Sequence, residues 1–431
     1  MSDLKQKLTD YIINYLEQKK KENSDIESII TASRSTNFDP NMPLNGGIYP
    51  PLHIAAYWGN VEIVTTLLED VRTDPNLART TDGATPLCIA TENGRVDVVK
   101  VLLEHNADPN QATTDYGAVP LHMAAENGYV DVVKLLLEHN ADPNLVTTDD
   151  GATPAYMAAQ QDQQKCLQLL LEHAADPNLA TIDDGTTPVY MAVLLGHVEC
   201  LKLLLKHNAD PNQALTIDGA TPLHMAASDG HADVVKLLLE DVQTDPNLAT
   251  TDDGTTPVFF AAMNGHAECV KLLLEHNANP NLATTDSGHT PLYMATQEGH
   301  ADVVKLLLMP CISECPWKAD VNAKNFNYDT SLQVAAEKGN VGVVKLLLEH
   351  AANPNQATTD YGAVPLHMAA EKGHVDVVKV LLEHGADPNK ARTDDGRTPV
   401  YMAAQNGHAD VVNLLGDASV INIDELIAFE F

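Results

Sequence analysis

The sequence predicts an all-α solenoid of about eleven stacked helix-turn-helix units joined by hairpin loops, preceded by an N-terminal helical cap. The first observation is periodicity. Aligned positions recur at Pro51, Pro86, Pro120, Pro154, Pro188, Pro222, Pro257, Pro291, Ser331, Pro365 and Pro399, spaced by 34 or 35 residues with one interval of 40. A period of this size marks a quasi-one-dimensional repeat array. The second is composition: 431 residues, 44% apolar and only 5% aromatic, would fill two to four ordinary domains unless one continuous core runs through a stack. The third is duplication, because segment 111–126 recurs unchanged at 356–371.

The elements follow in chain order. Residues 4–16 place Leu4, Leu8, Tyr11, Ile12, Tyr15 and Leu16 on one helix face, and 25–41 reads as a degenerate second helix with a DPN turn. Residues 1–45 are therefore expected to cap the array; the alternative is a helix that docks on a membrane or partner. Residues 46–308 hold units one to eight, of which unit six is representative. Gly219 permits a positive φ, Thr221 is a good N-cap, and Pro222 suits the first helical position, where no amide partner is needed. The short Ala-rich LHMAAS helix ends at Gly230, and ADVVKLLLED forms a second helix with Asp233 near its positive end. One such pair cannot bury its Leu and Val alone, so it must stack on copies of itself.

Departures mark the irregular places. EDVRTDPN and EDVQTDPN lengthen the turns at 69–76 and 240–247, and Asp162 replaces the glycine that ends the first helix of unit four. Residues 309–323 form an insertion loop containing MPCISECPW, and 324–416 hold units nine to eleven. Unit nine has Ser331 for proline and Tyr328 at the glycine position, which makes the junction before it the expected weak point. Residues 417–431, DASVINIDELIAFEF, are an acidic tail that either folds over the last pair or stays free.

Thr221, Pro222, Leu223, His224, Ala226, Ala227, Gly230, His231, Val234, Val235, Leu237, Leu238 and Asn247, with close equivalents in the other ten units, resemble the ankyrin repeat from about Gly46 to Leu415. The resemblance implies a scaffold that binds proteins along a concave groove lined by hairpin tips and first helices. In that family the freest positions are the two before the hairpin glycine and the last two of the first helix. Here those slots are mostly polar, but they hold Tyr57 and Trp58, Leu194 and Leu195, and Met263, with Tyr116 and Tyr361 at hairpin tips. These seven are the expected partner-binding residues.

Charge narrows the partner. With 26 Lys and Arg against 60 Asp and Glu, the net charge is −34, and all of that excess falls after residue 34. Nucleic acid would be repelled, the only basic cluster being Lys19 to Lys21, whereas a protein with a basic surface would be attracted. No apolar run reaches membrane-span length, and the N-terminus lacks the pattern of an export signal. Six Cys are too sparse for a disulfide scaffold, so a reducing, cytoplasmic compartment and a monomer are expected.

Chemistry-bearing residues fit the repeat. Seventeen of the eighteen His occupy three repeat positions, leaving His289 in a hairpin. Cys166, Cys200 and Cys269 replace Val as small buried groups, while Cys311 and Cys315 form an inert or redox-sensitive loop pair or, alternatively, half of a metal site. The acidic hairpin tips read as solvated turns. No metal, cofactor or enzyme activity is expected, since no nucleophile elbow, P-loop, HExxH or kinase motif occurs. An alternative keeps the same surface but places it in another cell. Long, nearly uniform arrays of this kind look like those of effectors from intracellular bacteria, and IDELIAFEF is similar to type IV secretion signals; the site of action would then be host cytoplasm.

Overall fold

The computed structural model describes residues 40–41, 50–309 and 317–418. The expected cap apart from residues 40–41, Cys311 and Cys315, and the tail beyond 418 lie outside the described residues. Among those described, 22 helices form eleven pairs, and the only β feature is an isolated bridge between Lys324 and Thr330. The chain divides between Gln213 and Ala214 into two compact bodies.

The first body holds units one to five: Pro51–Trp58 with Val61–Leu68, Pro86–Glu92 with Val96–Glu104, Pro120–Glu126 with Val130–Glu138, Pro154–Gln160 with Gln164–Glu172, and Pro188–Leu194 with Val198–Lys206. The second holds units six to eleven, from Pro222–Asp229 with Ala232–Glu240 through Pro399–Gln405 with Ala409–Ala418. Within each body, first helices pack on first helices and second on second, which gives two layers. Alanines such as Ala124, Ala125, Ala158 and Ala159 are fully buried and let the first layer approach closely. Val98, Val99, Leu102 and their equivalents fill the space between layers.

Local chemistry fixes each helix start. Thr153 Oγ1 accepts from the Tyr156 amide at 3.1 Å, satisfying one of the orphan donors of the first turn. In three units carrying a histidine two residues after the proline, those of His122, His224 and His367, Nδ1 accepts the N-cap amide, as from Thr221 to His224 at 3.0 Å. Helix ends use the left-handed conformation. Asp162 and Tyr328 adopt it too, with φ of 52° and 63°, so the two non-glycine substitutions keep the backbone of the units they interrupt.

Consecutive units are also joined by side-chain ladders. Turn asparagines donate to a carbonyl and accept an amide one unit ahead at Asn76, Asn110, Asn144, Asn247 and Asn355: Asn144 Nδ2 reaches Ala174 O at 3.1 Å, and Asp176 N reaches Asn144 Oδ1 at 2.7 Å. Asn41 already makes this pair of bonds, with Arg72 O and Asp74 N. Asn281 carries the ladder past the insertion to Lys318 O and Asp320 N. Unit nine makes the same inter-unit joint with a different residue. Its Gln333 takes the histidine role, with Oε1 accepting the Thr330 amide at 2.7 Å and Nε2 donating to Ala363 O at 3.1 Å.

Candidate partner-binding surface

The hairpin tips are built by threonine and aspartate. In unit four, Asp150 Oδ1 accepts from the Thr147 hydroxyl and from the Ala152 amide at 3.0 Å, closing the turn on itself. Asp82, Asp184, Asp218 and Asp253 likewise accept the amide two residues on, and Asp184 and Asp253 also take the hydroxyls of Thr181 and Thr250. For Asp82, Asp150 and Asp253, burial opposes ionisation, yet the hydrogen bonds prevail and hold the carboxyls below the usual range; for Asp184 the Thr186 hydroxyl is the main cause. The second acid of each tip pair is thus a turn cap, while Asp149 is left exposed. The tip carbonyls then bond forward to the next unit, as Thr114 N to Asp82 O at 2.7 Å.

Two tips substitute tyrosine for the capping acid. At Tyr116 and Tyr361 the amide that Asp would share keeps only the threonine hydroxyl it also bonds in the aspartate tips, Ala118 N to Thr113 Oγ1 at 3.2 Å and Ala363 N to Thr358 Oγ1 at 3.1 Å. The rings are released outward, 60% and 54% exposed. At the ends of first helices, Tyr57 and Trp58 pack edge to face with centroids 5.3 Å apart, and both remain exposed. Leu194 and Leu195 are exposed as well, and Met263 is half-buried. Hairpin and first-helix end share a side in unit eleven, where Arg397 lies over Tyr401 and reaches Gln405 at 3.3 Å.

Five of the seven expected residues, Tyr57, Trp58, Tyr116, Leu194 and Leu195, fall in the first body; Met263 and Tyr361 fall in the second. Ile217 stands in one of the same hairpin slots, is 68% exposed, and extends the set in the second body. Counting back from Gly219 would have found it in the sequence. Ile182 and Phe326, 68% and 60% exposed, occupy a different slot: they pack over the preceding hairpin glycines, Gly151 and Gly288, where Thr114, Thr148, Thr251, Thr285 and Thr393 stand in other units.

The remaining titratable groups serve the scaffold. Burial pushes the imidazoles of His53 and His224 down to about 4 and lowers those of His122 and His367. Their Nε2 atoms reach carbonyls one unit ahead, Ala84, Thr255, Ala152 and Arg397. Nδ1 of His53 has no partner among the described residues, because Pro50 at the N-cap carries no amide hydrogen. His266, His300, His374 and His408 cover the helix-ending glycine of the unit before and donate to its carbonyls. Burial pushes the thiols of Cys166 and Cys269 up to about 11 and that of Cys200 to about 12, so these are unreactive packing groups. Among the described residues no group of three His, Cys, Asp or Glu is placed to hold a metal ion, and no helix is long and apolar enough to cross a membrane.

Repeated helix pairs, hairpin ladders and histidine staples of this kind coincide with matches to the family model for ankyrin repeats (3 copies), at residues 22–113, 109–181, 179–250, 242–325, 311–392 and 357–425. The chain belongs to the ankyrin-repeat family. No curated protein matches it. Ankyrin-repeat proteins are protein–protein interaction scaffolds and in general non-catalytic, and this one has protein partners on that ground.

Proposed function

We propose that this ankyrin-repeat chain is a non-catalytic scaffold whose partner is a protein with a basic surface, held on the groove face by Tyr57, Trp58, Tyr116, Leu194 and Leu195 in the first body and by Met263 and Tyr361 in the second. The carrying observation is the combination of exposed apolar anchors with an acidic surround. Residues 50–213 hold 23 Asp and Glu against 8 Lys and Arg. Large anchors supply affinity once desolvated, and the field around them raises the encounter rate and rejects acidic competitors. A monomer in a reducing, cytoplasmic compartment suits this reading, because the high net charge opposes self-association and Cys88, Cys166, Cys200 and Cys269 are buried and unpaired. Affinity capture from cell lysates tests it: basic proteins should be recovered in low salt and lost in high salt.

Delivery into a host cell is the second reading, favoured by the composition of residues 417–431. A reporter fused to the last residues of the chain should be translocated by a type IV system; retention in the donor would remove this reading and leave the scaffold untouched.

A further inference from the structure

Arg392 of unit eleven lies over the ring of Tyr361 of unit ten, its guanidinium carbon 5.2 Å from the ring centroid. The same guanidinium grips Asp394 with two bonds, Nε to Oδ1 at 3.0 Å and Nη2 to Oδ2 at 2.6 Å, and Asp395 adds a contact at 3.5 Å. A tyrosine tip followed by a two-acid tip therefore forms a cradle for guanidinium, which stacks on a ring and takes carboxylate bidentately as ammonium does not. Arg79 occupies the matching position in unit two and is likewise clamped by a hairpin carboxylate, Asp82.

The first body repeats this cradle without its arginine. Tyr116 ends the tip of unit three in the segment identical to that around Tyr361, and the next hairpin reads Thr147, Thr148, Asp149, Asp150, Gly151 where the filled cradle reads Arg392, Thr393, Asp394, Asp395, Gly396. Only the first position differs. The backbone register is also the same: Thr148 N bonds Tyr116 O at 2.8 Å, and Thr393 N bonds Tyr361 O at 2.9 Å. Thr147 ends at a hydroxyl spent on Asp150, so nothing from that position reaches the tyrosine.

We propose that Tyr116, Asp149 and Asp150 form a receptor for an arginine side chain of the partner, in the arrangement that Arg392 displays internally at Tyr361. This rests on the reading of a basic partner and adds a preference for arginine over lysine at one point on the first body. Arg392 would fill the second copy of the cradle from within the chain, so that only one of the two identical tips remains open.

The test uses the full chain and two labelled peptides, one alternating glycine and arginine, the other its lysine counterpart, titrated at physiological salt. The arginine peptide should bind roughly threefold to tenfold more tightly. Tyr116→Ala and Thr147→Arg should each abolish that preference, the first by removing the ring and the second by filling the cradle. Arg392→Thr should open the second cradle and raise the number of arginine peptides bound. Equal, salt-sensitive binding of both peptides would overturn the cradle while leaving the basic-partner reading standing. A preference for arginine that survives both Tyr116→Ala and Thr147→Arg would also overturn it, and absence of any binding would overturn both.

Discussion

His224 joins two units: its Nδ1 accepts the Thr221 amide at 3.0 Å, and its Nε2 donates to Thr255 O at 3.1 Å. The amide can only donate, so Nδ1 carries no proton and the folded ring is neutral. Protonation would set a hydrogen on Nδ1 against the amide hydrogen, and burial adds to the penalty.

Acid sensitivity follows. The folded values of His53 and His224 lie near 4, below the ordinary value of 6.5, so the unfolded chain binds more protons between those limits. The stabilisation is complete above about pH 6.5 and is lost as pH falls toward about 4, on the order of 3 kcal/mol for each ring. Gln333 shows that glutamine can make both bonds of this joint. His224→Gln is therefore expected to fold and to be less destabilised between neutral pH and about pH 4.5 than the native chain. Urea midpoints at the two pH values check this; identical pH dependence in both proteins would contradict it.

Glycine at the end of the first helix has two roles that can be separated. Gly230 and Gly407 have nearly the same φ, 75° and 76°, but a Cβ on Gly230 would lie 2.5 Å from Nδ1 of His266, whereas one on Gly407 meets nothing within 4 Å. Gly407→Ala should cost only the left-handed penalty of about 1 to 2 kcal/mol. Gly230→Ala should cost that amount and about 1 kcal/mol more, through the displaced ring and its bond to Ser228 O. Chemical denaturation of the two variants measures the difference, and equal costs would mean the histidine cover contributes nothing.

The asparagine ladder predicts a local effect. Asn144→Ala removes bonds to Ala174 O and from Asp176 N, which are surface bonds together contributing roughly 1 to 2 kcal/mol. Hydrogen exchange at Asp176 should accelerate while that at core amides such as Leu136 stays slow. Unchanged exchange at Asp176 would show that the turn is held by other contacts.

Much of this architecture is legible in the sequence because each unit repeats its own instructions. Pro222 after Thr221 and Gly230 before the next helix specify both helix boundaries without long-range information. The adaptation of unit nine is less legible: Gln333 reads as a lost histidine, and only its two bonds show that the joint is kept. The same holds for Tyr328, whose positive φ preserves a turn that its side chain disfavours. Site residues are harder to read than the fold. Tyr116 and Tyr361 lie in identical segments, yet Arg392, 31 positions after Tyr361, makes one tip an occupied cradle.

The anchors themselves are tested by partner affinity. A basic partner recovered by capture should be purified and titrated against the native chain, the Tyr57→Ala, Trp58→Ala double variant and the Leu194→Ser, Leu195→Ser double variant, at low and high salt, after confirming that melting is unchanged. The account predicts that each pair of substitutions weakens binding at least about tenfold, the loss expected of a buried hot spot, and that salt weakens the native complex. Native affinity in both variants, with no dependence on salt, would contradict it.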